Sequence, residues 1–202
     1  MASFMKRYWF IGVAGTLITV VILTIVYQLW WGSNKLPTLD RAPSFTMSDM
    51  YGKPVSLRDS DGKVRIVSFH YTHCPDICQA TNFNLIRVQQ KLKEQGVLGD
   101  KVLLMTITFD PKRDTEQMLQ KYTSSQGIKS EGWSFLRGTQ EQTDQVLQGF
   151  KVLAEDQGNG IFMHSNNLFL VDGNENIRAI YKMGSSMDNE QIVKDIHNLL
   201  ND

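Results

Sequence analysis

Val64-Arg-Ile-Val-Ser-Phe-His70-Tyr71-Thr-His-Cys74-Pro-Asp-Ile-Cys78 is the stretch on which the reading of this chain turns. Val64 to His70 reads as a buried strand, and the residues from about Cys78 to Gln95 read as a helix with Leu85, Val88 and Leu92 along one face. A strand that delivers two thiols to the start of a helix sets both sulfurs near unpaired backbone N–H groups and the positive end of the helix dipole. That setting favours the thiolate, which is both nucleophile and metal ligand. Residues i and i+4 on a helical turn share a face, about 5–6 Å apart at Cβ. Cys74 and Cys78 are therefore spaced either to close a strained disulfide or to share one soft metal ion. They are the only two cysteines in the 202 residues.

Outward from that stretch, the N-terminus is the next most decisive segment. Tyr8 to Trp31 is a run of 24 residues without a charge, rich in Ile, Val, Leu and Thr. A bilayer core needs about 20 such residues. A cleaved signal peptide has a shorter apolar run and a small-residue cleavage site. Trp30 and Trp31 instead suit the aromatic belt of a membrane interface. Lys6 and Arg7 precede the run and only Lys35 closely follows it, so the positive-inside rule predicts a cytoplasmic N-terminus. The expected organisation is a transmembrane anchor over 8–31, a proline-punctuated linker over 32–43 and one extracytoplasmic domain over 44–202, held at a cell membrane by a single pass.

Outside a membrane, disulfides form and persist. Two thiols in one loop there are a redox pair or a metal site kept reduced by some thiol reductant. A structural staple across so short a loop would add little through chain entropy. Lys plus Arg and Asp plus Glu are 21 each, so the composition offers no basic face for nucleic acid and no acidic tract that would favour disorder.

Within the domain, Asp49-Met-Tyr-Gly-Lys-Pro54 marks a hairpin between Phe45 and Leu57. Val102 to Phe109 is a nearly continuous apolar run, the pattern of a central strand covered on both faces. Asp114 or Thr115 caps the following helix. Trp133 to Arg137 is a short strand, and Thr139-Gln-Glu-Gln142 is a capping box opening a helix to Phe150. Lys151 to Gly160 is a polar loop or ribbon. Asn167–Asp172 and Ile177–Met183 form an antiparallel pair, and a last helix runs from about Asp188 to Leu200. The order is hairpin, β-α-β-α-β-α, then β-β-α. That is an α/β domain of thioredoxin-like layout, a central mixed sheet flanked by helices.

Of the four histidines, His164 stands where such a layout brings a loop beside the first helix's N-terminus. It is the expected partner of the thiols. His73, adjacent to Cys74, is a lesser candidate as proton donor or outer ligand. His70 is read as a strand residue with a hydrogen-bonded side chain, and His197 as lying on a solvated helix face. Two thiolates and an imidazole suit copper or zinc rather than calcium or magnesium. Structural zinc would want a fourth protein ligand. Asp110 and Arg113 fall at the C-terminal end of the second long strand, the edge that faces the functional crevice in open α/β sheets. Asp110 is there a candidate support for the ligands, or simply the cap of the turn before Pro111.

Three motifs together resemble the Sco/SenC family of membrane-tethered, thioredoxin-like copper chaperones: Tyr71-Thr-His-Cys74-Pro-Asp-Ile-Cys78, Thr108-Phe-Asp110-Pro-Lys-Arg-Asp-Thr115, and His164-Ser followed by Phe169-Leu-Val-Asp172. The similarity spans roughly residues 40 to 200. It implies one copper ion, Cu(I) or Cu(II), held by Cys74, Cys78 and His164, with delivery to the binuclear CuA centre of cytochrome c oxidase subunit II. It also implies a Cys74–Cys78 disulfide that switches binding off. Gln79 and Glu116 stand where the family often has proline, and neither is a ligand. The competing reading is a thiol-disulfide oxidoreductase that reduces the cysteines of the copper-accepting partner. C-x3-C is not the usual C-x-x-C of dithiol enzymes, and a reductase has no need of His164. A third reading is a thiol peroxidase or redox sensor, which needs a readily formed sulfenic acid.

Overall fold

The computed structural model describes residues 2–31, 35–75, 77–158 and 160–202, with the side chains of 2–7 and 28–31 left aside. The expectations placed on Lys6, Arg7, Trp30 and Trp31, and on residues 32–34 of the linker, lie outside the described residues. The chain divides into two units, Met1–Lys35 and Leu36–Asp202.

The first unit is one helix, α1 (Ala2–Trp31). Its Tyr8–Tyr27 stretch is long and apolar enough to cross a membrane, and none of it is buried by protein. The hydroxyls of Thr16, Thr19 and Thr24 donate to the carbonyls of Gly12, Gly15 and Val20, each at 2.9 Å. The polar side chains are thus satisfied within the helix, as a hydrocarbon surrounding requires.

The second unit is built on an eight-stranded mixed sheet. Its strands are β1 (Asp40–Arg41), β2 (Thr46–Asp49), β3 (Pro54–Ser56), β4 (Val64–His70), β5 (Val102–Thr108), β6 (Trp133–Arg137), β9 (Asn167–Val171) and β10 (Asn176–Lys182). Two further short strands, β7 (Ala154–Asp156) and β8 (Phe162–His164), form a separate antiparallel ribbon. The sheet order is β1-β10-β9-β4-β5-β6-β2-β3. β4, β5 and β6 are parallel neighbours, and β9 runs antiparallel against β4. The helices are α2 (Ile77–Glu94), α3 (Glu116–Ser125), α4 (Gln140–Gly149) and α5 (Asn189–Leu200).

The central strands carry apolar residues on both faces because both faces are covered. Ile66, Leu104, Leu168 and Leu170 face the side packed by Leu85 and Val88 of α2, Leu119 of α3 and Ile192 and Ile196 of α5. Val67, Phe69, Ile107, Phe169 and Val171 face the other side, with Val146 and Leu147 of α4. Each such fully buried side chain contributes about 1.5–3 kcal/mol. The covered faces make β4 a rigid platform, and its C-terminal end carries the cysteine loop.

One element differs from the sequence reading, and another settles an alternative it left open. The segment read as a linker over 32–43 contributes an edge strand: Leu39 and Ala42 donate their N–H groups to Ile177 and Glu175, both at 2.8 Å, around the β1–β10 pairing. The polar stretch after α4, read as a loop or ribbon, forms the paired ribbon, and that ribbon carries His164.

Candidate metal centre

β4 ends at His70, and the chain turns through Tyr71, Thr72 and His73 to reach Cys74. The Cys74 N–H donates to the Tyr71 carbonyl at 3.2 Å, closing the turn. Cys78 falls in the first turn of α2, and its free backbone N–H points at the Cys74 sulfur, 3.4 Å away. The two cysteines form no disulfide with each other and are buried, Cys78 completely and Cys74 to 5 % exposure. The helix start thus turns one of its donors toward Cys74, as the sequence implies. Cys78 behaves otherwise. Its hydrogen bond with Cys74 and then its burial push its thiol well above the ordinary range.

His164 comes from β8 at the base of the ribbon, paired with Ala154. Ser165 fastens this end, its N–H donating to the Leu153 carbonyl at 2.9 Å while its Oγ accepts from the Leu153 N–H at 3.0 Å. The His164 Nδ1 lies 2.9 Å from the Ser165 carbonyl. Donation there fixes the tautomer and leaves Nε2 as the ring's ligand atom, the arrangement typical of metal-bound histidines. The ring packs against Phe109 at 5.0 Å and Tyr71 at 6.1 Å between centroids. A hydrogen bond with Cys74 raises the imidazole's pKa above its ordinary value, against the opposing effect of burial.

One ligand atom from each of Cys74, Cys78 and His164 lies within 4.8 Å of the other two. It is the only such cluster of three or more metal-ligating residues among the described residues. Two sulfurs and one nitrogen, partly buried with no third thiol, make a site for a soft or borderline ion with an open coordination position.

The remaining histidines lie apart from this cluster. His73 is exposed, its Nδ1 3.1 Å from Thr72 Oγ1. His197 bonds through Nε2 to Gln95 Oε1 at 2.9 Å, half-buried rather than fully solvated. His70 corrects the sequence reading. It is buried, and neither ring nitrogen has a hydrogen-bond partner among the described residues. It packs instead between the rings of Tyr122 and Phe135, because its alternating position on β4 points it into the apolar layer.

Asp110 is also buried, and its carboxylate takes the Arg113 Nε. Its carbonyl accepts the N–H groups of Arg113 and Asp114, so it does close the turn after β5. The carboxylate that reaches the cysteine loop belongs to Asp114, which sequence reasoning offered only as a helix cap. Thr115 is the cap, its Oγ1 accepting from Met118 at 3.2 Å. Asp114 is fully buried and accepts from the Thr72 N–H, the Thr72 hydroxyl and the Thr108 hydroxyl. Two acidic residues four apart in one turn carry no sequence mark of which one turns inward.

The sheet order and the thiol pair at the first β–α turn define a thioredoxin-like domain, and the strand C-terminal edge carries a three-donor cluster that could hold a soft metal ion. The SCO1/SenC family model matches residues 34–201, and the chain belongs to that family. It is 25% identical over 155 residues to the SCO1 protein homolog of Bacillus subtilis, covering 75% of this chain and 79% of that one. Among solved structures, Arabidopsis thaliana ScoI with copper bound superposes with a TM-score of 0.68 at 25% identity, covering 80% of this chain and 99% of the other. BsSco, described as a member of the Sco family of cytochrome c oxidase assembly proteins, has the same fold: TM-score 0.73, 24% identity, 83% and 97% covered.

Proposed function

We propose that this chain is a membrane-anchored copper carrier in which Cys74, Cys78 and His164 hold one copper ion and pass it to the CuA centre of cytochrome c oxidase subunit II. The observation that carries the reading is the approach of the two sulfurs and the imidazole to within 4.8 Å of one another. Family membership supports it, as does the copper-bound state of the Arabidopsis relative. The donor chemistry fits: thiolates and imidazole take Cu(I) in a trigonal set, and Cu(II) with an added oxygen ligand. The unburied apolar helix supports a single-pass anchor over 8–31, N-terminus in the cytoplasm, with the domain that follows outside. In this reading copper moves by ligand exchange, partner cysteines and histidines replacing His164 and the two sulfurs in turn.

The test is copper titration of the reduced full chain in detergent, beside Cys78→Ser and His164→Ala, followed by absorbance and EPR. One tight site with sulfur-to-copper charge-transfer bands, lost in Cys78→Ser and weakened in His164→Ala, is the expected result. A Cys78→Ser protein that still held copper tightly would overturn the site.

A second reading has a specific observation behind it. Cys78 N–H against Cys74 Sγ at 3.4 Å is a dithiol poised at a helix start, the arrangement of a thiol-disulfide oxidoreductase acting on the partner's cysteines. His164→Ala separates the two, since a pure reductase keeps its activity without the imidazole.

A further inference from the structure

The cysteines stand on the main sheet and α2, whereas His164 stands on a two-stranded ribbon outside that sheet. A two-stranded ribbon is marginal by itself in water, so something must hold it where the imidazole meets the sulfurs. From inside, Tyr71 and Phe109 pack on Phe162 at 5.2 and 5.1 Å, and the Tyr71 hydroxyl is hydrogen-bonded to the Phe162 backbone. From outside, one side chain closes over the ribbon. The Arg113 guanidinium lies 5.5 Å above the Phe162 ring centroid, and its Nη1 occupies the space beside Gly160, where a Cβ would come within 1.6 Å of it. Gly160 has φ +82°, so glycine there is required twice, by the backbone and by the guanidinium. The other side of Arg113 is fixed by its ion pair with the buried Asp110.

We propose that Arg113 is a positioning residue for His164: braced on Asp110, it clamps the Phe162–Gly160 end of the ribbon and so sets where the imidazole stands relative to Cys74 and Cys78. The proposal rests on the copper-carrier reading. A planar guanidinium serves this purpose where an ammonium does not, because it pairs with a carboxylate at its edge while its face covers an aromatic ring. The position also explains what Asp110 is for. Its carboxylate acts on the metal site through Arg113 and the ribbon.

The experiment uses the reduced full chain in detergent with Arg113→Ala, Gly160→Ala, His164→Ala and the Arg113→Ala/His164→Ala double variant. Hydrogen exchange is read first on the copper-free proteins, at the Gln157 and Ser165 amides that donate to Ile161 and Leu153. Both clamp variants should exchange faster there and unchanged along β4 and β5. Copper affinity, read by chelator competition, should fall about 10–100-fold in Arg113→Ala, with EPR and charge-transfer spectra moving toward those of His164→Ala. The double variant should bind as His164→Ala does. Wild-type ribbon exchange and a wild-type spectrum in Arg113→Ala would overturn the proposal. So would a double variant weaker than His164→Ala by the whole Arg113 factor, since Arg113 would then act elsewhere. If the unaltered protein takes up no copper, the carrier reading fails by itself, and exchange in the copper-free proteins still decides whether Arg113 holds the ribbon.

Discussion

Asp114 accepts the backbone N–H of Thr72 at 3.1 Å, so a carboxylate on the turn after β5 fixes the loop that leads to Cys74. The same carboxylate takes the hydroxyls of Thr72 and Thr108. Removing it in Asp114→Ala leaves one buried donor unmet, the Thr108 hydroxyl, at about 1–3 kcal/mol, and takes the acceptor from two half-exposed donors on Thr72. The expected outcome is a loss on the order of 3 kcal/mol, seen as a lower urea midpoint at unchanged slope. Asp114→Asn keeps an acceptor oxygen and should lose less. A midpoint unmoved by either change would show that the loop is held by other contacts.

His70 predicts a sag in stability on the acid side. Burial first, with a smaller opposing influence of Cys74 and a reinforcing one of His164, depresses its pKa from 6.5 to about 4. The unfolded chain therefore takes up a proton between pH 6.5 and 4 that the folded chain refuses. Stability contributed by neutral His70 is complete above pH 6.5 and is lost as the pH falls toward 4, by about 3 kcal/mol in all. His164 works in the opposite sense in the copper-free protein, since its raised pKa adds stability below 6.5 that fades as the pH rises through the folded value. His70→Phe keeps the ring between Tyr122 and Phe135 and removes the titration. Its denaturation midpoint should vary less from pH 7 to 4 than that of the parent. An equally steep profile in both would place the acid sensitivity elsewhere.

Copper binding should strengthen with pH. The Cys78 thiol is pushed up by its bond to Cys74 and by burial, and His164 is raised by its own bond to Cys74. A metal that takes both groups must displace their protons, and affinity changes about tenfold per pH unit for each proton released. Chelator competition between pH 5 and 8 checks this. A flat profile would mean that Cys78 does not ligate as a thiolate.

In thiol chemistry the two cysteines should be unequal. Cys74 retains slight exposure and receives the Cys78 N–H, whereas Cys78 is sealed and protonated. An alkylating agent should label Cys74 first. Likewise Cys78→Ser should accumulate a mixed disulfide with an added low-molecular-weight disulfide, releasing one small thiol, and Cys74→Ser should not. Preferential labelling of Cys78, read by peptide mass spectrometry, would reverse the assignment.

The parts of this molecule legible in the sequence are those with long, regular signals. The seven-residue runs of β4 and β5, the Thr139–Gln142 capping box and the α5 stripe each repeat a pattern long enough to override local accidents. The strand before them and the helix after them set Cys74 and Cys78 at one edge, and the thioredoxin-like layout, not the thiol spacing, points to His164 beside them. The ribbon is legible only as one of two alternatives, because strands of three residues set among Gly158, Gly160 and charged side chains have no measurable period. β1 is not legible at all: it is two exposed residues held by backbone pairing and by the ion pairs Arg41–Glu175 and Asp40–Lys151. The division of labour between Asp110 and Asp114 depends on which way a tight turn faces. The isolation of His70 depends on what packs above it. Both are properties of the assembled layers rather than of any local string.

The three donors differ in what they stand on. The sulfurs are rooted in the stiffest layer of the domain, while the imidazole rides on a small appendage secured by three aromatic rings and one arginine. A grip of this kind has a fast finger and a slow palm. On the proposed carrier reading, an acceptor that lifts the ribbon removes one ligand while the thiol pair keeps its hold. Release can then proceed by stages in which the ion is never bare, and the ease of the first stage is tuned by residues that touch neither metal nor acceptor.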